Sequence, residues 1–303
     1  MKRLELRESQ VALLFLIPAV VALLVFMYYP IVQTLIFSLF DLDHTTDWLN
    51  APFAGLQNYV QVFRSEQFRR SLGFTLGFTV VSVLLQFWIG LALALATFWV
   101  IPRLRGALRA IIILPWAIPG IIHASMWKWI FNTDVGIVGD LLVKLGLVTE
   151  PPLFLANPTL AMASVVIAYA WKASAITAVF LMGGLALVPD ELHDAAKVDG
   201  ARAWRRFWTI TLPLVMPTIL VTLLFRTMDA LRIFDIVYGL TGGGPGTTTE
   251  TLSSFAYKFY FSYAQFGKGS AYAMVTFVLV VSVSIFYIKR VQGRFRFRGG
   301  EEP

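Results

Sequence analysis

Four ionisable side chains recur at every third position of the stretch FRTMDALRIFDIVYGL, which covers residues 225–240. They are Arg226, Asp229, Arg232 and Asp235, and their charges alternate in sign. Opposite charges three residues apart on a helix can form ion pairs, and their polar atoms can also bind a polar solute. The stretch lies in an apolar segment of membrane-spanning length, where ionisable groups are costly and usually face away from lipid. This charged stretch is therefore the first candidate for a functional site.

The pairing of these four charges admits two interpretations. On a continuous helix each step of three residues turns about 300°, so the four charges cover about half of the circumference. Pairing of Arg226 with Asp229 and of Arg232 with Asp235, or the crossed alternative, makes the stretch neutral and lowers the cost of burying it. Such a network can fix the helix against a partner without any solute. We expect a division, in which some of the groups line a polar path and others bind neighbouring helices.

The elements that carry these residues are membrane helices. Hydrophobic residues make up 57% of the chain and charged residues 14%, against about 25% charged residues in soluble domains. Runs of about 20 apolar residues predict six spans in one all-α membrane domain that covers residues 1–303. Their approximate bounds are 11–39, 72–100, 110–131, 160–187, 214–240 and 271–289. The first span is too long for a cleavable signal peptide and continues through Pro18 and Pro30.

The placement of charge predicts the orientation in the membrane. Lys and Arg are concentrated in both termini and in the second and fourth loops, which places these parts in the cytoplasm. The net charge of +7 therefore belongs to groups that flank membrane segments and meet anionic headgroups, and it does not indicate nucleic acid. The chain contains no cysteine, which excludes disulfides and thiol catalysis.

Neither a nucleotide site nor a metal site is expected in this chain. The glycine run GLTGGGPGTTTETL, residues 239–252, lacks the lysine that a phosphate-binding loop requires. The three histidines, His44, His123 and His193, are scattered over two loops and one span and do not form a ligand cluster.

The fourth loop has a more regular order of residue types than a simple connector requires, and its sequence is VPDELHDAAKVDGARAWRRFWTITLPLVMP. Pro189 precedes a short helix with acidic residues in its first turn, and Gly200 can end that helix with a positive φ. A second helix is predicted to begin near Ala201 and to lie along the membrane surface before Pro213 opens the fifth span. Its aromatic residues fall on one face: Trp204, Phe207 and Trp208. The alternative is an interfacial loop that only connects two spans.

This loop resembles the EAA motif of ABC-importer permeases, which reads E-A-A-x-x-x-G, then nine residues, then I-x-L-P. The chain has every element of that pattern at the same spacing: Asp194, Ala195, Ala196, Gly200, Ile210, Leu212 and Pro213. Asp194 in place of Glu is the one departure, and it keeps the carboxylate. The segments FAGLQNYVQVF, LPWAIPGIIHASMWKWIFN and LTGGGPGTTTETL resemble the carbohydrate-uptake branch, in particular six-span subunits of the MalF/UgpA type. The resemblance covers nearly the whole chain.

The resemblance implies a type I ABC-importer permease fold and a transport role without catalytic residues. It makes residues 188–213 a coupling loop that docks on an ATP-binding subunit. The residues implied in that contact are Glu191, Asp194, Ala195, Ala196, Asp199 and Gly200. ATP and Mg would be bound by the partner ATPase, and this chain would hold no cofactor.

The partners that the resemblance implies complete an importer. They are a second, MalG-like permease in a heterodimer, two ATP-binding subunits, an extracytoplasmic sugar-binding protein and membrane lipid. The complex would lie in the plasma membrane, or inner membrane, of a bacterium or an archaeon.

A sugar requires hydrogen-bonding groups and flat apolar faces along its path. The residues expected to provide them are Trp171, Arg226, Asp229, Arg232, Asp235, Tyr238 and Tyr272. The expected substrate is a di- or oligosaccharide such as trehalose or maltose, and the alternative is a glycerol phosphate, which the arginines would suit. A stand-alone channel or ion-coupled transporter is the other class, but it predicts a filter or an inverted repeat that the sequence does not show.

Overall fold

The computed structural model describes residues 8–46 and 49–296, which are helical apart from loops and one isolated bridge between Phe40 and Phe53. The helices, in chain order, are α1 (Glu8–Leu23), α2 (Tyr29–Ser38), α3 (Gln57–Arg64), α4 (Glu66–Trp99), α5 (Pro102–Ala117), α6 (Gly120–Ile130), α7 (Ile137–Lys144), α8 (Pro158–Leu185), α9 (Asp190–Val198), α10 (Ala203–Arg206), α11 (Leu212–Leu231), α12 (Asp235–Leu240), α13 (Leu252–Tyr257) and α14 (Phe266–Arg296). Single π-helical turns follow α1, α10 and α13, at Leu24–Tyr28, Phe207–Thr211 and Lys258–Ser262.

Among the described residues, five helical runs are long and apolar enough to cross a membrane, or six if one bent pair counts as a span. They are Phe15–Ser38, Glu66–Phe98, Pro158–Leu185, Ala203–Leu231 and Phe266–Arg290, with Arg103–Ala117 and Gly120–Ile130 as the bent pair. The all-α membrane architecture predicted from composition is thereby confirmed. Residues 1–7 and 297–303, which belong to the termini predicted to be cytoplasmic, lie outside the described residues.

The third predicted span, residues 110–131, is not one helix. The helix α5 ends at Ala117, α6 begins at Gly120, and the axis turns by 92° between them. Ile118 is extended, with φ −72° and ψ 127°, because the ring of Pro119 disfavours a helical conformation at the preceding residue. The carbonyl of Ile118 therefore has no partner within a helical hydrogen-bond ladder and needs one from elsewhere.

The fifth predicted span, residues 214–240, begins earlier than expected. Helical structure runs from Ala203 through the π turn Phe207–Thr211 into α11, so the predicted surface helix is continuous with the span. Pro213 does not interrupt it, because it directly follows the π turn Phe207–Thr211, where the regular hydrogen-bond ladder is already locally altered.

The same span also ends earlier than expected. Arg232, with φ −108° and ψ 24°, and Phe234, with φ −136° and ψ −60°, are non-helical, and they separate α11 from α12. The charged stretch therefore does not lie on one continuous helix, and the angular spacing predicted for its four charges is wrong beyond Leu231.

One compact unit of the chain contains the residues up to Ser65 together with Phe255–Val275. Within it, Asn58 Nδ2 donates a hydrogen bond to the carbonyl oxygen of Phe40 at 2.8 Å. Gly267 packs against the same carbonyl so closely that a Cβ there would overlap it. This unit thus ties α3 and the start of α14 to the chain that follows α2.

The second unit contains Glu66–Ser254 and the residues from Thr276 onward. Its core consists of two clusters of buried apolar residues. One joins α4, α6, α8, α11 and α12 through residues that include Phe78, Ala124, Val165, Ala230 and Val237. The other joins α4, α5, α8 and α11 through residues that include Leu91, Ile112, Leu181 and Ile219.

Glycines bring helices of the second unit close together. A Cβ on Gly90 of α4 would lie 2.7 Å from Thr177 Cγ2 of α8. A Cβ on Gly184 of α8 would lie 2.7 Å from Thr218 Cβ of α11. Small residues at such contacts are typical of helix packing in membranes. The helix α8 is thereby held between α4 and α11.

Candidate functional site

The centre of the charged stretch is Asp229, which pairs with two arginines at once. Its Oδ2 lies 2.8 Å from Arg226 Nη2, and its Oδ1 lies 2.9 Å from Arg232 Nη2. The side chain of Arg226 is 10% exposed and that of Arg232 is 59% exposed. Arg226 also lies over the ring of Phe180, with 5.8 Å between the guanidinium carbon and the ring centroid. Arg226 therefore forms a packed ion pair with Asp229, whereas Arg232 is largely exposed.

Asp235 does not join this network, although one of the two pairings left open by the sequence joins it to Arg232. It begins α12, beyond the break after Leu231, and forms no salt bridge with Arg232 within the part of the chain that the structure describes. Its carboxylate lies instead against Gly120, where a Cβ would overlap it. The break in the fifth span therefore packs on the break in the third.

Lys172 of α8 joins this junction from a third helix. Its Nζ donates a hydrogen bond to the carbonyl oxygen of Ile118 at 2.5 Å, which satisfies the group freed by the bend before α6. The carboxylate of Asp235 also acts electrostatically on Lys172. The sequence places Lys172 beside Trp171, but it gives no indication that the lysine serves a backbone carbonyl 54 residues earlier.

Aromatic rings line the region next to this junction. Trp171 is exposed and stacks on His123, with the ring centroids 5.6 Å apart and the planes 4° apart. Trp127 packs edge-on against the same tryptophan at 5.8 Å. Within the described chain, the Nε2 of His123 and the Nε1 of Trp127 are buried and form no hydrogen bond. Exposed Tyr238 stacks on Phe234 at 5.2 Å, at the start of α12.

Tyr272 does not belong to this group, although the sequence analysis assigns it to the solute path. It is 1% exposed and lies in the other compact unit. Its ring stacks on Phe255 and Phe259, with centroids 5.8 Å and 5.1 Å away. Because a path-lining side chain requires exposed surface, the position of Tyr272 indicates a packing role instead.

The fourth loop has the helix–turn–helix form that its sequence predicts. The helix α9 ends at Val198, and Gly200 follows with φ +75°. The Gly200 N–H bonds to the Lys197 carbonyl at 3.0 Å, and the Ala201 N–H bonds to the Ala196 carbonyl at 2.9 Å. This pair of bonds is a Schellman motif, which glycine adopts most readily. The reversal of the chain at Gly200 is therefore a defined turn.

The residues implied in coupling form an accessible surface. Glu191, Asp194, Ala195, Asp199 and Gly200 are exposed, and Ala196 is half-buried. Asp194 pairs with Lys197 at 2.7 Å, and this hydrogen bond and the ammonium charge lower the pKa of Asp194 below its usual range.

Two contacts attach this surface to the helix that follows. Arg206 Nη1 donates to the Ala201 carbonyl at 3.1 Å, and His193 Nε2 lies 3.5 Å from Thr211 Oγ1. Side-chain contacts therefore connect α9 and its turn to the base of α11.

Comparison with known proteins places this architecture among transport components. Residues 86–297 match the family described as binding-protein-dependent transport system inner membrane component. The trehalose/maltose transport system permease protein MalF of Thermococcus litoralis is 40% identical over 296 residues, which cover 97% of each chain. The trehalose transport system permease protein SugA of Mycobacterium tuberculosis is 35% identical over 94% of this chain and 90% of its own. The sn-glycerol-3-phosphate transport system permease protein UgpA of Agrobacterium fabrum is 32% identical over 94% and 95%.

Solved structures show the same fold. A chain of a bacterial ABC transporter involved in the import of the acidic polysaccharide alginate matches with a TM-score of 0.81 and 24% identity, covering 96% of both chains. A chain of the alginate transporter in complex with an alginate pentasaccharide-bound periplasmic protein matches with a TM-score of 0.79 and 25% identity, covering 91% of this chain and 92% of that one. The type I ABC-importer fold implied by the sequence resemblance is thereby confirmed.

Proposed function

The chain belongs to the family of binding-protein-dependent transport system inner membrane components, and from this membership we propose that it forms half of the path of an ABC importer for a neutral di- or oligosaccharide. It is a multi-pass transport component of sugar ABC importers in the inner membrane. Trehalose and maltose are the substrates proposed first, because the relatives named for them align over nearly the whole chain.

The observation that carries the proposal is the meeting of two helix breaks, one between α5 and α6 and one between α11 and α12. Non-helical backbone at membrane depth is tolerated where it is buried in protein or lines a wet cavity, and transporters bind solutes at such breaks. Here the breaks at Ile118 and Arg232 meet beside Lys172, and exposed Trp171 and Tyr238 flank them. Polar groups beside flat aromatic faces are what a sugar ring requires.

The four charges of the charged stretch balance one another, which suits a neutral solute. The exposed Arg232 is already paired with Asp229 at 2.9 Å, and Asp235 adds a negative charge on the other side of the break. A glycerol phosphate remains the second candidate because of the UgpA relatives. It would have to displace Asp229 from Arg232 or bind close to Lys172.

The exposed helix α9 and its turn are proposed as the contact with an ATP-binding subunit. The side chains of Glu191 and Asp194 are presented on a short helix, and the small Ala195 permits close approach. Because Arg206 and Thr211 link α9 to the helix above it, closure of the ATPase pair would move α11 and with it the charged stretch. We propose that the loop and both termini lie on the cytoplasmic side, as the distribution of Lys and Arg predicts.

The proposed complex contains further subunits. Half of a path requires a second permease, and a MalG-like heterodimer partner is proposed from the MalF-like sequence. Two ATP-binding subunits would supply ATP hydrolysis, and an extracytoplasmic sugar-binding protein would deliver the solute.

ATP hydrolysis by the reconstituted complex tests this proposal. The transporter is purified with its partner subunits, placed in proteoliposomes and supplied with its binding protein. Trehalose, maltose, sn-glycerol-3-phosphate and an amino acid mixture are then compared. Stimulation by a disaccharide is the expected result, and stimulation by glycerol phosphate alone selects the second candidate. A response to amino acids without any response to sugars contradicts the proposal.

A further inference from the structure

A groove of about 960 Å³ runs along α4 and α8 on the surface of the second unit, away from the charged stretch. Its floor is formed by Gly73 and Gly77 of α4, where added Cβ atoms would meet nothing within 4 Å. Val81 of α4 and Ile167 of α8 form its sides, and both are about half exposed. The groove is therefore a largely apolar trough at the surface of the second unit.

One end of the groove is basic and polar. Arg69 and Arg70 stand there, together with the loop that contains Thr247 and Thr248. That loop lies at the start of α4, because the Leu252 N–H bonds to Thr75 Oγ1 at 3.2 Å.

The two arginines at this end differ in their partners. Arg70 is paired with Glu66 at 2.6 Å. Arg69 is exposed and makes no ion pair or hydrogen bond within residues 8–46 and 49–296. The polar end thus offers a cation with no anionic partner among the described residues.

The length of the groove fits one lipid leaflet. Gly73 and Leu85, which bound its apolar part on α4, are twelve residues apart, or about 18 Å at about 1.5 Å per residue. The hydrocarbon of one leaflet is about 15 Å thick, half of a bilayer core of about 30 Å. A basic group at headgroup level above an apolar trough of this length matches a phosphate attached to an acyl chain.

We propose that this groove binds one anionic phospholipid, with its phosphate at Arg69 and one acyl chain over Gly73 and Gly77. An arginine binds phosphate through two parallel N–H donors, and the hydroxyl of Thr247 can donate a further hydrogen bond to it. The Thr248 hydroxyl donates instead to the Pro245 carbonyl at 2.7 Å. The bound lipid covers the glycine surface that the chain leaves open.

Native mass spectrometry of the purified transporter tests the site. The complex is delipidated, then titrated with palmitoyl-oleoyl phosphatidylglycerol or with the corresponding phosphatidylcholine. We expect one phosphatidylglycerol per copy of this chain to persist at the highest collision energies. Arg69→Gln should weaken its retention about fivefold, the factor expected for one basic group near an anionic headgroup. Gly77→Leu, which fills the trough, should abolish it.

Two matched variants control for lipid that binds elsewhere. Arg103→Gln removes an exposed arginine that does not line the groove, and Gly183→Leu enlarges an uncrowded glycine of α8 outside it. Both should retain the lipid as wild type does.

Equal retention in Arg69→Gln and Arg103→Gln, or equal retention of the two lipids, contradicts the proposal. A structure of the assembled transporter with a helix of another subunit in the groove would also overturn it.

Discussion

The ammonium of Lys172 lies 2.5 Å from the carbonyl oxygen of Ile118, so a side chain of α8 satisfies the backbone at the bend between α5 and α6. An unsatisfied carbonyl inside a membrane is costly. The bend is therefore held by a contact with another helix as well as by Pro119.

Replacement of Lys172 by methionine should destabilise this bend. The variant leaves the Ile118 carbonyl without its donor, which is expected to lower stability by about 1–3 kcal/mol. The midpoint of thermal unfolding of the purified transporter should fall, and sugar uptake should fall with it. Lys128→Met, which changes an exposed lysine of α6, is the control and should leave both quantities unchanged. A Lys172→Met protein as stable as that control would show that the hydrogen bond is dispensable.

Replacement of Asp229 by asparagine should lower the stability of the protein more than replacement of the exposed Arg232 by glutamine. The buried Arg226 would then lack its carboxylate. Because Asp229 is itself 39% exposed, the expected cost is about 1–3 kcal/mol, less than for a fully buried pair. Arg232→Gln removes the exposed partner of the same carboxylate and should cost at most about 1 kcal/mol. Thermal unfolding of the two variants side by side provides the measurement. The assignment of Asp229 as the centre of the network fails if Arg232→Gln destabilises the protein as much as Asp229→Asn.

Two adjacent glycines of α8 should respond differently to alanine. Gly184→Ala places a Cβ 2.7 Å from Thr218 Cβ, and overpacking of this kind is expected to cost about 1–3 kcal/mol. Gly183→Ala meets nothing within 4 Å and should be neutral or slightly stabilising. Urea- or heat-induced unfolding measures the difference. Equal stability of the two variants would mean that α8 and α11 are not held as closely as the structure shows.

Replacement of Gly200 by valine should uncouple ATP hydrolysis from uptake. The residue has φ +75°, a conformation that β-branched residues strongly disfavour. Lack of space is not the cause, because a Cβ at this position would meet no atom within 4 Å. Gly200→Asn should reduce uptake less than Gly200→Val does, because asparagine tolerates this conformation. Uptake and ATPase activity are measured in the same proteoliposomes. Normal uptake by Gly200→Val would show that this turn is not required for coupling.

The carboxylate of Asp194 should not govern the pH dependence of coupling near neutrality. Its folded-state pKa is lowered by the hydrogen bond and charge of Lys197. Any stabilisation from this pair is therefore complete above the ordinary carboxylate range, and it is lost only as the pH falls through the lowered pKa. Wild type and Asp194→Asn should accordingly show parallel ATPase profiles between about pH 6 and pH 8, a window above the ordinary Asp pKa of about 3.9. Profiles that diverge within that window would assign the titration to Asp194.

The membrane class, most spans and the turn at Gly200 could be predicted from the sequence because they depend on local composition. The run of apolar residues identifies each span, and Gly200 marks the turn because few other residues adopt its conformation. The break at Ile118 is also predictable from the sequence, because Pro119 follows it and disfavours a helical conformation there.

The break after Leu231 cannot be predicted from the sequence in this way. No proline or glycine lies between Arg232 and Asp235, so the local sequence favours a continuous helix. The contact of Asp235 with Gly120 on another broken span is a tertiary interaction, and residue spacing along one segment does not reveal it. Of the two pairings left open by the sequence, the one between Arg232 and Asp235 is absent among the described residues for the same reason, and Arg232 pairs with Asp229 instead.

The contact between Lys172 and Ile118 also has a consequence for biosynthesis. The ribosome makes Ile118 54 residues before Lys172, so the bend before α6 leaves the translocon without its donor. Until α8 arrives, that carbonyl must hydrogen-bond to water or to the insertion machinery. We therefore expect a nascent chain truncated before Lys172 to keep its third segment in contact with the insertase, and site-specific crosslinking of arrested chains can detect this delay.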